Sequence, residues 1–195
     1  MHDNAGTSDS AASSGEDSSL PGSSGDSSHG ASPSPAGGDL RVDFYVLEES
    51  SASGRLKIAC RLAEKAYLAA QTALVWHTDV EELRAFDDML WTFMDGSFVP
   101  HEMITAATER LARESPAGGS SSEETPVLLS LGVGPSANVD IVINLGPELP
   151  ACLSQTRRVA EVIDGDDTRR RAGRARFKAY RELGVQPASH NIRGD

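Results

Sequence analysis

Cysteine is almost absent from this chain: Cys60 and Cys152 are the only two among 195 residues. That excludes a disulfide framework and a thiolate zinc site, and both thiols read as inert. Long apolar runs are missing too, since nothing approaches the ~18 residues of a membrane span and no stretch has the pattern of a signal peptide. A cytoplasmic protein with reduced thiols and no membrane contact is expected. Gly132-Val133-Gly134 follows an apolar run, but no third glycine opens a helix and no GK[ST] follows, so no nucleotide cofactor is expected there. His2, His29 and His190 fall in polar terminal regions, His77 and His101 near the ends of extended runs, and no Cys/His or carboxylate spacing reproduces a metal site. Ser97 has no elbow motif, and no local run supplies a nucleophile, base and oxyanion donor. The expectation is a protein without catalytic residues, metal or cofactor.

Lysine, arginine and aromatic residues are all missing from residues 1–40, which are built of Ser, Gly, Ala, Pro and Asp. Such a composition cannot bury enough apolar surface to offset an ordering cost of ~1–2 kcal/mol per residue, so a disordered acidic tail is predicted. Six of the chain's carboxylates lie there. Without them the eighteen cations face twenty-three carboxylates, and the net charge of −11 becomes −5. Residues 41–195 are enough for one well-formed core and read as a single domain.

Val42 to Leu47 is β-rich and reads as a first strand. From Arg55 to Gln71 the apolar residues Ala59, Leu62, Ala63, Ala66 and Ala70 recur at helical spacing, and Ala73 to His77 is a short second strand. Thr78-Asp79-Val80-Glu81 reads as a capping box with Thr78 as the cap, opening a helix that carries Val80, Leu83, Phe86 and Leu90 inward and ends near Phe93. A short extended piece at Phe98 to His101 contains Pro100, which argues against a central strand. A third helix is expected from Ile104 to Glu114, then a Gly/Ser-rich surface loop reaching Glu124. Val127–Leu131, Val139–Leu145 and Arg158–Ile163 complete the predicted strands, and aspartates at 164–167 suit the start of a last helix. Strands separated by helices point to an α/β fold with an open, mostly parallel sheet covered by helices on both faces, Rossmann-like without a nucleotide site.

That last helix concentrates cations: Arg169 to Arg181 holds six arginines and Lys178. At ~100° per residue, Arg170, Arg174, Phe177 and Arg181 share a stripe about 60° wide, with Lys178 beside it. Ala172, Ala175, Ala179 and Leu183 lie opposite and are the expected docked face. Phe177 would then stand outward among guanidinium groups, a surface for something both acidic and apolar. A solvated charged face and a nucleic-acid patch are the competing readings. Trp91 and Phe98 flank a turn and either finish the core or anchor a partner.

Three motifs in order, DFYVL at Asp43–Leu47, LW-x6-FVPH at Leu90–His101 and RFKAYRELG at Arg176–Gly184, resemble the chi subunit of the bacterial DNA polymerase III clamp loader. The resemblance covers roughly Val42 to Gly184. It implies a non-enzymatic adaptor that binds the psi subunit and grips the acidic, phenylalanine-ended C-terminal tail of single-stranded DNA-binding protein, without sequence-specific nucleic-acid contact. It also implies a tail site at Arg170, Arg174, Phe177 and Lys178, with Ile163 as apolar wall. Where the family commonly has tyrosine, this chain has Phe177, which keeps the ring and loses the hydroxyl. Trp91 and Phe98 match the family's psi-facing surface, which is also tied to a helicase as an alternative partner.

Overall fold

The computed structural model describes residues 40–94, 96–108 and 126–193. The predicted tail, apart from Leu40, and the loop at 115–124 lie outside the described residues. In chain order the elements are β1 (Arg41–Leu47), α1 (Ala52–Leu68), β2 (Ala73–His77), α2 (Val80–Thr92), β3 (His101–Ile104), β4 (Val127–Leu131), β5 (Ile141–Asn144), a 3-10 turn (Leu153–Gln155), β6 (Arg158–Ile163), α3 (Asp167–Glu182) and β7 (Ala188–Ile192). The strands form one sheet in the order β3-β4-β2-β5-β6-β1-β7. Every pairing among them is parallel, so the open α/β sheet expected as mostly parallel is wholly so.

Two apolar layers sandwich the sheet. On one face Ala59 and Ala63 of α1 and Leu83, Phe86 and Leu90 of α2 pack on Val75, Leu129, Ile143 and Val162. On the other, Tyr180 of α3 packs with Phe44, Trp76, Val142, Val159 and Ile163. Strand alternation produces this division, because successive side chains leave a strand on opposite faces. β5 supplies both layers, which is why all four of its residues are buried.

Several boundaries differ from the sequence expectation, each for a local reason. The Ser51 hydroxyl caps α1 by accepting from the Gly54 amide at 3.0 Å, so the helix starts at Ala52 and not Arg55. It ends at Leu68 because Ala70 turns left-handed, with φ of 53°. The Thr78 capping box is not formed. His77 Nδ1 accepts the Asp79 amide at 2.7 Å, and Asp79 becomes the cap, accepting from Glu81 and Glu82. Val80 is only half-buried. Ile104 ends the edge strand β3, the helical turn after it begins at Ala106, and the rest of that expected helix lies outside the described residues. Val139 makes an isolated bridge to Thr156, so β5 starts two residues later than its apolar run.

β7 was not expected at all. Its residues Ala188 to Asn191 are exposed and small or polar, and it forms because β1 leaves a free edge beside it. His190 therefore sits in a strand, stacked on Tyr45 with ring centroids 5.3 Å apart and 3.2 Å from Asp43 Oδ1.

Gly165 links β6 to α3 where the chain passes against the Glu48–Ser50 backbone. A Cβ there would lie 2.6 Å from Ser50 N and 2.8 Å from Glu48 O, and backbone cannot move aside as a side chain can. Gly165→Ala is expected to destabilise the fold by about 1–3 kcal/mol, measured by urea unfolding.

Candidate functional site

The register of α3 is set by a carboxylate under it. Glu161 of β6 is fully buried and receives three hydrogen bonds: Arg176 Nε at 2.8 Å on Oε2, and Tyr180 Oη at 2.8 Å and Asn144 Nδ2 at 2.9 Å on Oε1. Arg176 also donates to the Pro147 carbonyl at 2.8 Å. Burial pushes the Glu161 carboxyl above the usual carboxylate range, while the Arg176 charge and the three donors pull the other way. The buried residues of α3 are therefore Gly173, Arg176 and Tyr180. The expected docked face is incorrect: Ala175 and Leu183 are exposed, because the helix is turned to deliver Arg176 to Glu161.

The seven cations of α3 divide accordingly. Arg176 is internal. Arg169 grips the buried Asp164 with two bonds of 2.6 and 2.8 Å, and Asp164 also accepts the Ser51 amide at 3.1 Å. Burial opposes ionisation of Asp164, but the Arg169 hydrogen bonds and charge outweigh it and hold the carboxyl below its ordinary value. Arg170 donates from Nη2 to the Glu48 carbonyl at 3.0 Å, and its Nε is buried without a partner among the described residues. Arg174 is exposed and makes no hydrogen bond or ion pair among the described residues.

Arg170 and Arg174 border a groove of about 390 Å³ between α3 and the β1–β7 edge. Phe44, Val46, Ile163 and Phe177 give it apolar walls, and Ser189 and Asn191 of β7 give it a polar side. Phe177 does not stand outward as the helical stripe suggested. It is half-buried and tilted onto Phe44 with centroids 5.3 Å apart, so one face of the ring is spent on the core. Gly173 keeps the helix close to the sheet, since a Cβ there would meet Ile163 Cδ1 at 2.3 Å. Four of the five residues the resemblance assigns to a tail site thus line one groove. Lys178 does not: its side chain is 81% exposed and pairs with Glu182 at 3.5 Å. Sequence reasoning missed Phe44, Val46 and the β7 residues; DFYVL carried a signal for the first two, and the polar β7 carried none.

The second aromatic surface lies at the opposite edge of the sheet, beside β3. Trp91 and Phe98 are 50% and 62% exposed with ring centroids 5.3 Å apart, and Met94 is half exposed nearby in sequence, so these rings do not finish the core. His101 backs Trp91 at 4.6 Å between centroids and is fixed by Val99 O at 2.7 Å and Asp87 Oδ1 at 2.9 Å.

Gly132 takes a φ of 69° and its amide donates to His77 O at 2.8 Å, which makes it a turn glycine. Burial pushes the Cys60 and Cys152 thiols up to about 12 and about 11, which leaves both protonated and unreactive at neutral pH. Among the described residues no cluster of three or more His, Cys, Asp or Glu side chains could hold a metal, and no helix is long and apolar enough to cross a membrane.

The chain is a parallel α/β domain with an exposed aromatic pair at one sheet edge and an arginine-flanked groove with apolar walls at the other. More particularly, residues 40–188 match the family model described as DNA polymerase III chi subunit, HolC, and the chain belongs to that family. It is thereby an accessory subunit of the replicative polymerase. It is similar to the DNA polymerase III subunit chi of Pseudomonas aeruginosa, 36% identical over 152 residues that cover 78% of this chain and 96% of that one. The Escherichia coli subunit chi is 27% identical, covering 72% of this chain and 90% of its own. Among solved structures, T4 UvsW has a TM-score of 0.56 at 13% identity, covering 80% of this chain, and a Dbp5 structure bound to RNA and ADP BeF3 has 0.51 at 13%, covering 78%. This chain spans 42% of each of those longer chains, and the likeness is one of fold alone.

Two consequences are measurable. Arg176→Ala, which strands a buried carboxylate, is expected to cost about 3–5 kcal/mol in urea unfolding, whereas Arg171→Ala on the exposed side should stay within about 0.5. Asp164 has a depressed folded pKa, so its pairing stabilises the fold above the ordinary carboxylate range and that stability is lost as pH falls through the depressed value. Asp164→Asn should therefore lower the urea midpoint at pH 7, and the gap from the natural protein should close as pH falls below the ordinary carboxylate range.

Proposed function

We propose that this chain is a non-catalytic adaptor of the DNA polymerase III holoenzyme. The α3 groove takes the acidic C-terminal tail of single-stranded DNA-binding protein, and the Trp91–Phe98 surface takes the psi subunit of the clamp loader or, in its place, a helicase. The carrying observation is a groove that joins two arginines, Arg170 and Arg174, to an apolar wall of Phe44, Ile163 and Phe177. Exposed ion pairs contribute ~0.2–1 kcal/mol each, while burying a large apolar side chain contributes ~1.5–3. An acidic peptide ending in phenylalanine uses both, whereas bare nucleic acid uses only the charges. Lys178 adds general attraction from outside the groove, and the absent tyrosine hydroxyl at Phe177 removes one donor from its rim.

Residues 1–40 are an acidic extension preceding the single domain of 41–195, and the complex operates in the cytoplasm with the replisome. No cofactor or metal takes part.

Isothermal titration with a tail peptide should give micromolar affinity, about −8 kcal/mol, weakening as salt is added. Deleting the terminal phenylalanine should abolish most of it, and equal binding of the two peptides would remove support for the apolar wall. Arg174→Ala should weaken the peptide about tenfold, and Lys178→Ala clearly less. Trp91→Ala and Phe98→Ala should leave the peptide untouched and lower psi capture by about 2 kcal/mol each, read by surface plasmon resonance. Retention of bare single-stranded DNA on filters at physiological salt should be slight.

A further inference from the structure

Trp91 and Phe98 are at least half exposed, yet the residue behind them is not: the His101 side chain is 2% exposed. Two short stretches of chain bring these groups together. Asp87 and Trp91 are four residues apart on α2 and so lie on one face of it, a turn apart. Val99, buried in the core, anchors the extended segment between Phe98 and His101. The imidazole is thereby bonded to Asp87 and set against the indole.

Each nitrogen of that ring meets an oxygen. Nδ1 lies 2.7 Å from the Val99 carbonyl, and Nε2 lies 2.9 Å from Asp87 Oδ1. A carbonyl oxygen only accepts, and so does an ionised carboxylate. A neutral imidazole has one N–H, so either tautomer would point a lone pair at one of these oxygens across hydrogen-bond distance. At a site nearly closed to water, that loss is costly. Two protons satisfy both oxygens, and the bond to Asp87 becomes charge-assisted. The ring is then a cation with its centroid 4.6 Å from that of Trp91, inside the ~6 Å reach of a cation–π contact.

The other charges around the ring leave that count unchanged. Glu102 follows on β3 and alternates to the other face of the sheet, and the register partner of His101 on β4 is Val127. On α2, Arg84 is paired with Glu81 at 2.8 Å, and Asp88 is exposed. Among the described residues, Asp87 is the charged group that faces His101.

We propose that His101 carries both ring protons and is the positioning residue of the Trp91–Phe98 surface, so that capture of a partner there is linked to one proton. The imidazolium supports the indole while Phe98 flanks it at 5.3 Å, and an anchor fixed before the encounter costs less to bind. Removing the proton sets a lone pair against Val99 O or Asp87 and loosens the ring that backs Trp91. Capture is therefore full below the pH at which His101 loses its proton and falls as pH rises through it. The identity of the partner rests on the function proposed above; the two ring protons do not.

The first measurement uses the full chain alone. Long-range proton–nitrogen NMR at pH 7, with His101 assigned by comparison with His101→Phe or Asp87→Asn, should show a proton on each ring nitrogen. Trp91 fluorescence should change with pH in step with the loss of one of them, and Trp91→Phe isolates that signal from the buried Trp76. The second is surface plasmon resonance with psi as the probe. Capture should fall about tenfold as pH rises through the His101 transition. His101→Phe keeps a ring without the charge, and it should bind about tenfold more weakly at pH 7 and show no such step. Asp87→Asn offers an amide that can donate to a neutral Nε2, so it should keep most of the capture while the step disappears; it carries the comparison if His101→Phe does not fold. A single ring proton at pH 7 overturns the proposal whatever psi does, and so does capture that is flat across the His101 transition. If psi is not captured at any pH, the partner reading fails, and the ring protons with the Trp91 fluorescence still decide this one.

Discussion

The carboxylate of Glu161, buried between β6 and α3, is the constraint on which the presentation of this domain depends. A charge taken out of water is tolerated only with a partner and filled lone pairs, and here Arg176, Tyr180 and Asn144 supply both. Satisfying it turns α3 about its axis until Arg176 points inward. That rotation carries Arg170, Arg174 and Phe177 to the side facing β1 and β7. A helix docked by its alanines would have presented a different set.

A second buried carboxylate fixes where the helix begins. Asp164 joins Arg169 to the Ser51 amide, so the start of α3 is tied to the cap of α1. Gly165 allows the two chain segments to touch, and Gly173 allows α3 to reach Ile163. The groove is thus shaped along its length by a missing side chain at Gly173. The cations that border it are among those left over after Glu161 and Asp164 have taken theirs.

The sheet order separates the two aromatic surfaces. β3 and β7 are its edges, so the Trp91–Phe98 pair and the α3 groove stand at opposite ends of a seven-stranded sheet. Neither surface contributes atoms to the other, which the proposed adaptor role requires. A crevice at the carboxyl ends of β2, β5 and β6 lies between them, lined by residues of α1 and α3 and by the start of α2.

β4 and β6 were legible to the residue, because Val127–Leu131 and Arg158–Ile163 are short apolar runs bounded by polar chain. The periodic faces of α1 and α2 were legible too, as was the clustering of cations in α3. Apolar periodicity and charge are written locally, so the chain's own order determined the α/β class and the helix that carries the groove. β7 was not legible, since four small or polar residues and a single isoleucine form a strand only where another strand offers an edge. Nor was the difference between Arg176 and its neighbours, which rests on an acceptor fifteen residues away on another element. Tertiary structure alone decided which arginines are internal, which way Phe177 leans and what completes the groove. Each of those outcomes follows from pairing buried polar groups across elements, and that pairing has no period along the sequence.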